Sequence, residues 1–175
     1  MHEAVKRCAN KRTGNSNNMN LDSLISSNAV INNPEIKSKK RALELLAEHL
    51  ATQANQSSSD SIDALKIFQL LTDREKLGST GMGHGVALPH TRTSLTENAI
   101  GAFLKLEKGI DFDSPDHQPT DLIFALIVPE HYTDEHLKIL AYLASLFSDE
   151  NFCKIIRESN NHQEVYNNII NWSSA

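Results

Sequence analysis

The sequence predicts an α/β fold: a mixed parallel and antiparallel sheet of about five strands, flanked by helices on both faces. Three observations carry that prediction. Helical and strand-like apolar patterns interleave along the chain instead of clustering. One run, LIFALIV at 122–128, is apolar throughout, as a central strand covered on both faces must be. The 175 residues are 39% apolar and 22% charged, which suits one core and excludes wholesale disorder, collagen and coiled coil.

Residues 1–18 carry Lys6, Arg7, Lys11 and Arg12 against Glu3 alone and close in GNSNN. They read as a disordered basic tail, or as a stretch upstream of a natural start at Met19. Residues 19–175 read as one domain. LDSLI (21–25) is a short helical turn, and Ala29, Val30 and Ile31 form a short strand. Ser38 caps a helix running to about Ala54, with Ala42, Leu43, Leu46, Ala47 and Leu50 on one face. After the loop QSSSDS, Asp60 or Ser61 caps a second helix, with Ile62, Leu65, Ile67 or Phe68, and Leu71 pointing inward. DREKLGSTGMGHG then reads as a loop holding Gly78, Gly81, Gly83 and Gly85, leading into a strand at 86–88 that ends at Pro89-His90. Further strands are expected at 100–106 and 122–128. Thr133 caps DEHLKILAYLASLF, whose predicted buried stripe is Leu137, Leu140, Ala141, Ala144 and Phe147. Two shorter helices follow, around 152–156 and 165–172.

The charge balance excludes one class of function. Seventeen Lys and Arg stand against 22 Asp and Glu, a net charge of −5, so a nucleic-acid binder led by basic charge is not expected. No run approaches the roughly 18 apolar residues of a membrane span. The opening MHEAVKRCAN lacks the apolar region of a secretory signal, and the two cysteines, Cys8 and Cys153, suggest a reducing compartment. A cytoplasmic location is the expectation.

The glycine segment is the first candidate for chemistry. Its backbone N–H groups could cradle an anion, or it could be a tight connection. No Gly-Lys-Ser/Thr follows, so it is not a P-loop. Gly81, Gly83 and Gly85 are spaced two apart and lead into a strand, so it is not a dinucleotide fingerprint. Of the eight histidines, His2, His49, His117 and His162 read as surface groups. His90 follows Pro89, which fixes the local backbone. His136 lies third after Thr133, in a first helical turn where unpaired N–H groups favour an anion. His84 and His90 are six apart, and His131 and His136 five apart; neither is a zinc spacing, and no HExxH or cysteine pair assists. No metal is expected. A serine hydrolase is not expected either, because no GxSxG occurs.

The segment REKLGSTGMGHGVALPH (74–90) resembles the active-site segment of phosphotransferase-system enzyme IIA domains of the mannitol–fructose type, and most of all their nitrogen-regulatory branch. The resemblance continues through SKKRALELLAEHL, QPTDLIFALIVPE and DEHLKILAYLASLF, and covers roughly 21–172. It implies a phosphocarrier. His90 would accept a phosphoryl group on Nε2 from the phosphohistidine of an HPr- or NPr-type carrier, with His136 and Arg74 lining the same site. From the residues alone, Arg74 has a second, lesser reading as a helix C-terminal cap. Ser79, Thr80, Gly83, His84 and Gly85 would offer neutral donors to phosphate. No cofactor, nucleotide or Mg²⁺ enters this scheme. Transfer between imidazoles is close to balanced, and its loose transition state needs mainly positioning and charge. The implied output is regulation of protein partners, a transporter or a sensor kinase in nitrogen and potassium balance, according to phosphorylation state. The alternatives are a sugar-transport IIA component serving a IIB domain, and a binding module that has lost phosphorylation. Two residues depart from the family pattern. His84 stands where asparagine or glutamate is usual, and Thr91 where glycine is common. A third imidazole beside His90 would slow phosphorylation below about pH 6.5 by like charge.

Overall fold

A computed structural model of the chain describes residues 19–172; the basic segment 1–18 lies outside the described residues, and with it the reading of a disordered tail. Two 3-10 turns, Leu21–Ser23 and Ser27–Ala29, lead into β1 (Val30–Asn32). The helices α1 (Lys39–Ser57) and α2 (Ala64–Lys76) follow and pack on each other. Then come β2 (Gly81–Gly83), β3 (Val86–Ala87), β4 (His90–Thr93), β5 (Ile100–Ile110) and β6 (Thr120–Pro129). The described chain closes with α3 (Asp134–Phe147), α4 (Glu150–Glu158) and α5 (His162–Ile170).

The sheet has six strands in the order β1-β5-β6-β3-β2, with β4 also paired to β6. β5 and β6 are antiparallel, whereas β1, β3 and β4 run parallel to their partners. The apolar run Leu122 through Val128 is buried throughout, as a central strand requires. Phe103 and Phe124 face each other across β5 and β6. Phe147, at the end of α3, packs on both at ring distances of 5.7 and 6.0 Å, and Phe152 of α4 meets it edge-on at 5.2 Å. On α1, Ala42, Leu43, Leu46, Ala47 and Leu50 are all buried, and that helix packs along β5. Gly101 lies under the Phe124 ring, where a Cβ would come within 2.7 Å of it.

One expected cap is formed, and several other expectations are corrected. The Ser38 cap is formed, its hydroxyl accepting from Arg41 N. The second cap is Asp63 instead of Asp60 or Ser61, because Asp63 accepts from Leu65 N. Leu65 therefore points outward, and Ile67 fills the core position with Phe68 half-buried. Asp73–Lys76 belongs to α2 and not to the loop. Gly81–Gly83 is itself a strand, and His90 opens β4 instead of ending a strand. The α3 stripe is Ile139, Leu143, Leu146 and Phe147, while Leu137 and Ala141 are exposed and Thr133 makes no side-chain cap. Trp172 lies beyond α5 and packs against Phe152.

Candidate active site around His90 and His136

β3 and β4 run along the same edge of β6. Val86 and Ala87 lie beside Leu122 and Ile123, and His90 through Thr93 beside Leu126 through Pro129. Leu88 and Pro89 interrupt the edge, since proline has no N–H to give the ladder. Leu88 N donates to Thr80 O at 3.1 Å, and Pro89 O accepts from Leu126 N at 2.9 Å. This step delivers His90 half-buried, with its Nδ1 at 2.7 Å from Leu88 O. A carbonyl only accepts, so Nδ1 carries the proton and Nε2 keeps a free lone pair. Burial pushes the His90 pKa below its usual 6.5; the Leu88 bond opposes, the Arg74 charge assists and the Glu75 charge opposes. The ring is neutral at pH 7.

His136 stands in the first turn of α3, its ring centroid 5.6 Å from that of His90. Burial lowers its pKa as well, followed by the charges of His90 and Arg92. Its Nδ1 is buried with no hydrogen-bond partner among the described residues. Arg74, in the last turn of α2, donates from Nη1 to Gly78 O at 2.8 Å, so it does close the helix end while its charge reaches His90. The structure thus brings His90, His136 and Arg74 together. It adds Arg92, which follows His90 by two in β4 and so shares its face, and Glu75, buried behind Arg74. Sequence reasoning missed both. The period of two would have found Arg92 had HTRT been read as strand.

The remaining expected residues are placed differently. The Ser79 hydroxyl donates to Phe112 O at 2.8 Å and accepts from Gly81 N at 3.1 Å. Thr80 is buried, and its hydroxyl donates to the Glu75 carboxylate. Both protons are committed inside the protein. Gly83, His84 and Gly85 are not brought to His90. Gly85 O accepts from Leu122 N, four residues along β6 from the His90 partner Leu126, or about 13 Å at strand spacing. The tight turn between β2 and β3 sends them there. His84 takes a positive φ of 55°. Its N–H donates to Asp116 at 2.8 Å, and its carbonyl accepts from Arg157 at 2.9 Å. The expected third imidazole beside His90 is therefore corrected; the charges acting on His90 are those of Arg74 and Glu75. Among the described residues no group of three or more His, Cys, Asp or Glu could hold a metal ion.

The family described as "Phosphoenolpyruvate-dependent sugar phosphotransferase system, EIIA 2" matches residues 23–172. The chain belongs to this enzyme IIA family. A nitrogen regulatory protein of Escherichia coli K12 is 37% identical over 155 residues, spanning 88% of this chain and 91% of that protein. The crystal structure of nitrogen regulatory protein IIA-Ntr from Neisseria meningitidis superposes with a TM-score of 0.78 at 35% identity, covering 85% of this chain and 98% of that one. The mannitol IIA of Escherichia coli shares the fold, with a TM-score of 0.67 at 18% identity over 82% of this chain and 97% of that one. The nitrogen-regulatory resemblance is borne out by the first two.

In this enzyme IIA domain the arrangement has a definite chemical capacity. A neutral imidazole with a free Nε2 is a nucleophile near pH 7. The Arg74 charge acting on His90 and the Arg92 charge acting on His136 favour a reacting group that carries negative charge. No helix among the described residues is long and apolar enough to cross a membrane.

Proposed function

We propose that the protein is a phosphocarrier that accepts a phosphoryl group on Nε2 of His90 from an HPr- or NPr-type phosphohistidine protein, and that its phosphorylation state regulates protein partners. The observation that carries this reading is the bond from His90 Nδ1 to Leu88 O, which leaves Nε2 as the nucleophile. As Nε2 bonds to phosphorus, the bond from phosphorus to the donor imidazole breaks and the electron pair returns to that ring. The proton stays on Nδ1, donated to the Leu88 carbonyl, which steadies the positive charge the ring acquires. Arg74 and His136 stabilise the phosphoryl oxygens as charge spreads over them. The names of the relatives support a regulatory output. The rim of the site supports protein docking: Leu77 is 86% exposed next to the Arg74 turn, and Leu137 is 65% exposed next to His136. A phosphoryl group adds about −1.5 to −2 charge at the centre of that rim and so alters which partners dock.

The test is intact mass after incubation with phosphoenolpyruvate, enzyme I and an HPr-type carrier. The expected result is an acid-labile gain of one phosphoryl group, absent from His90→Ala. No gain, with the carrier shown competent on another IIA, contradicts the proposal. Onward transfer to a fructose- or mannitol-type IIB domain would assign the sugar-transport role instead.

A further inference from the structure

Glu75 is a buried carboxylate with a side chain only 5% exposed, and the scheme above leaves it unused. A buried carboxylate persists as an ion only where it is paired and hydrogen-bonded. Glu75 is both. Lys39 Nζ lies 2.8 Å away, and that ammonium is itself braced by Asp113 at 3.2 Å and by the Phe112 ring at 4.6 Å. Thr80 gives Glu75 its backbone N–H, at 3.1 and 3.2 Å to the two oxygens, and its hydroxyl. The polar chain does not stop there. Thr80 O accepts from Leu88 N at 3.1 Å, and Leu88 O accepts from His90 Nδ1 at 2.7 Å. A series of hydrogen bonds, linked through the backbone of Thr80 and Leu88, thus runs from Lys39 and Glu75 to the nucleophile. The turn it closes, from 75 to 80, also contains the Gly78 carbonyl that anchors Arg74.

We infer that Glu75 is a positioning residue, which acts through Thr80 and Leu88 to fix the orientation and protonation of the His90 imidazole. The inference rests on the phosphocarrier reading for its rate and on the fold alone for its geometry. Arg74 and Glu75 from α2 and His136 from α3 surround the His90 ring, and Arg92 of its own strand acts on His136. Glu75 is the carboxylate among them. Its charge favours the protonated ring, so its removal moves the His90 titration to lower pH.

The test compares the full chain with Glu75→Gln and Glu75→Asp. Each is checked for fold by circular dichroism, titrated at His90 by NMR of the ring, and assayed for transfer from an HPr-type carrier by intact mass. Glu75→Gln is expected to keep its fold, to titrate His90 at lower pH and to lose about tenfold or more in transfer rate. Glu75→Asp returns the charge, so it moves the titration back towards the parent and recovers part of the rate. An unchanged titration or an unchanged rate in folded Glu75→Gln overturns the inference. Should Glu75→Gln fail to fold, Glu75→Asp decides: a parental rate with the carboxylate withdrawn overturns it, and a reduced rate supports it. If the full chain accepts no phosphoryl group, the phosphocarrier reading fails, and the NMR titration alone decides whether Glu75 governs His90.

Discussion

At the residue scale the site depends on two imidazoles kept uncharged by burial. Both His90 and His136 have pKa values below the ordinary 6.5. The folded chain therefore binds their protons more weakly than the unfolded chain does. Their contribution to stability is present above about pH 6.5 and is lost as pH falls through the folded values. Urea midpoints should accordingly drop between pH 7 and pH 5, and the drop should be smaller in a His90→Gln, His136→Gln double variant. The same depression keeps Nε2 nucleophilic in mildly acid solution, so the acid limb of the transfer rate lies below pH 6.5. His136→Ala should slow transfer by about 10²-fold, the usual size of one lost transition-state donor, whereas His90→Ala abolishes it. His84 is different. Its ring is remote from His90 and its backbone has φ of 55°, a region where asparagine is at ease. His84→Asn should leave the pH profile of transfer unaltered and should raise stability by up to roughly 1 kcal/mol in urea denaturation.

At the scale of elements, local signals and tertiary packing divided the work. The Ser38 cap and the apolar face of α1 were legible because one hydroxyl precedes one clear stripe. The start of α2 was not, because SSSDSID offers several caps and only the packing of Ile62 and Ile67 selects Asp63. Asp63→Ala should cost about 1 kcal/mol, and Asp60→Ala less than about 0.5 kcal/mol, both read from urea midpoints. In α3 the sequence LKILAYLASLF is apolar nearly all round, so periodicity left its rotation open. Packing of Phe147 against Phe103 and Phe124 sets that rotation and exposes Leu137 beside the site. β4 could not be read from HTRT, which has no apolar pattern of its own. It is a strand because the free edge of β6 accepts it.

At the scale of the whole molecule, the interleaving of helices and strands and the apolar run of β6 were enough to fix the α/β class in advance. The His90, His136 and Arg74 constellation was legible through the family segments at 74–90 and 134–147. What the chain alone could not supply was distance. Residues 83–85 are near His90 in sequence, yet the β2–β3 turn carries them along β6 to the Asp121–Arg157 pair, bonded at 2.9 Å. Glu75, fifteen residues before His90, is joined to it by hydrogen bonds that only the folded sheet edge creates. The central claim is that the fold presents Nε2 of His90 as the nucleophile while Leu88 holds the Nδ1 proton. The most direct measurement is NMR of the phosphorylated protein carrying ¹⁵N-labelled histidine. The account predicts phosphorus coupling at Nε2 of His90 with a proton retained on Nδ1. Phosphorus on Nδ1 of His90, or on any other histidine, would contradict it.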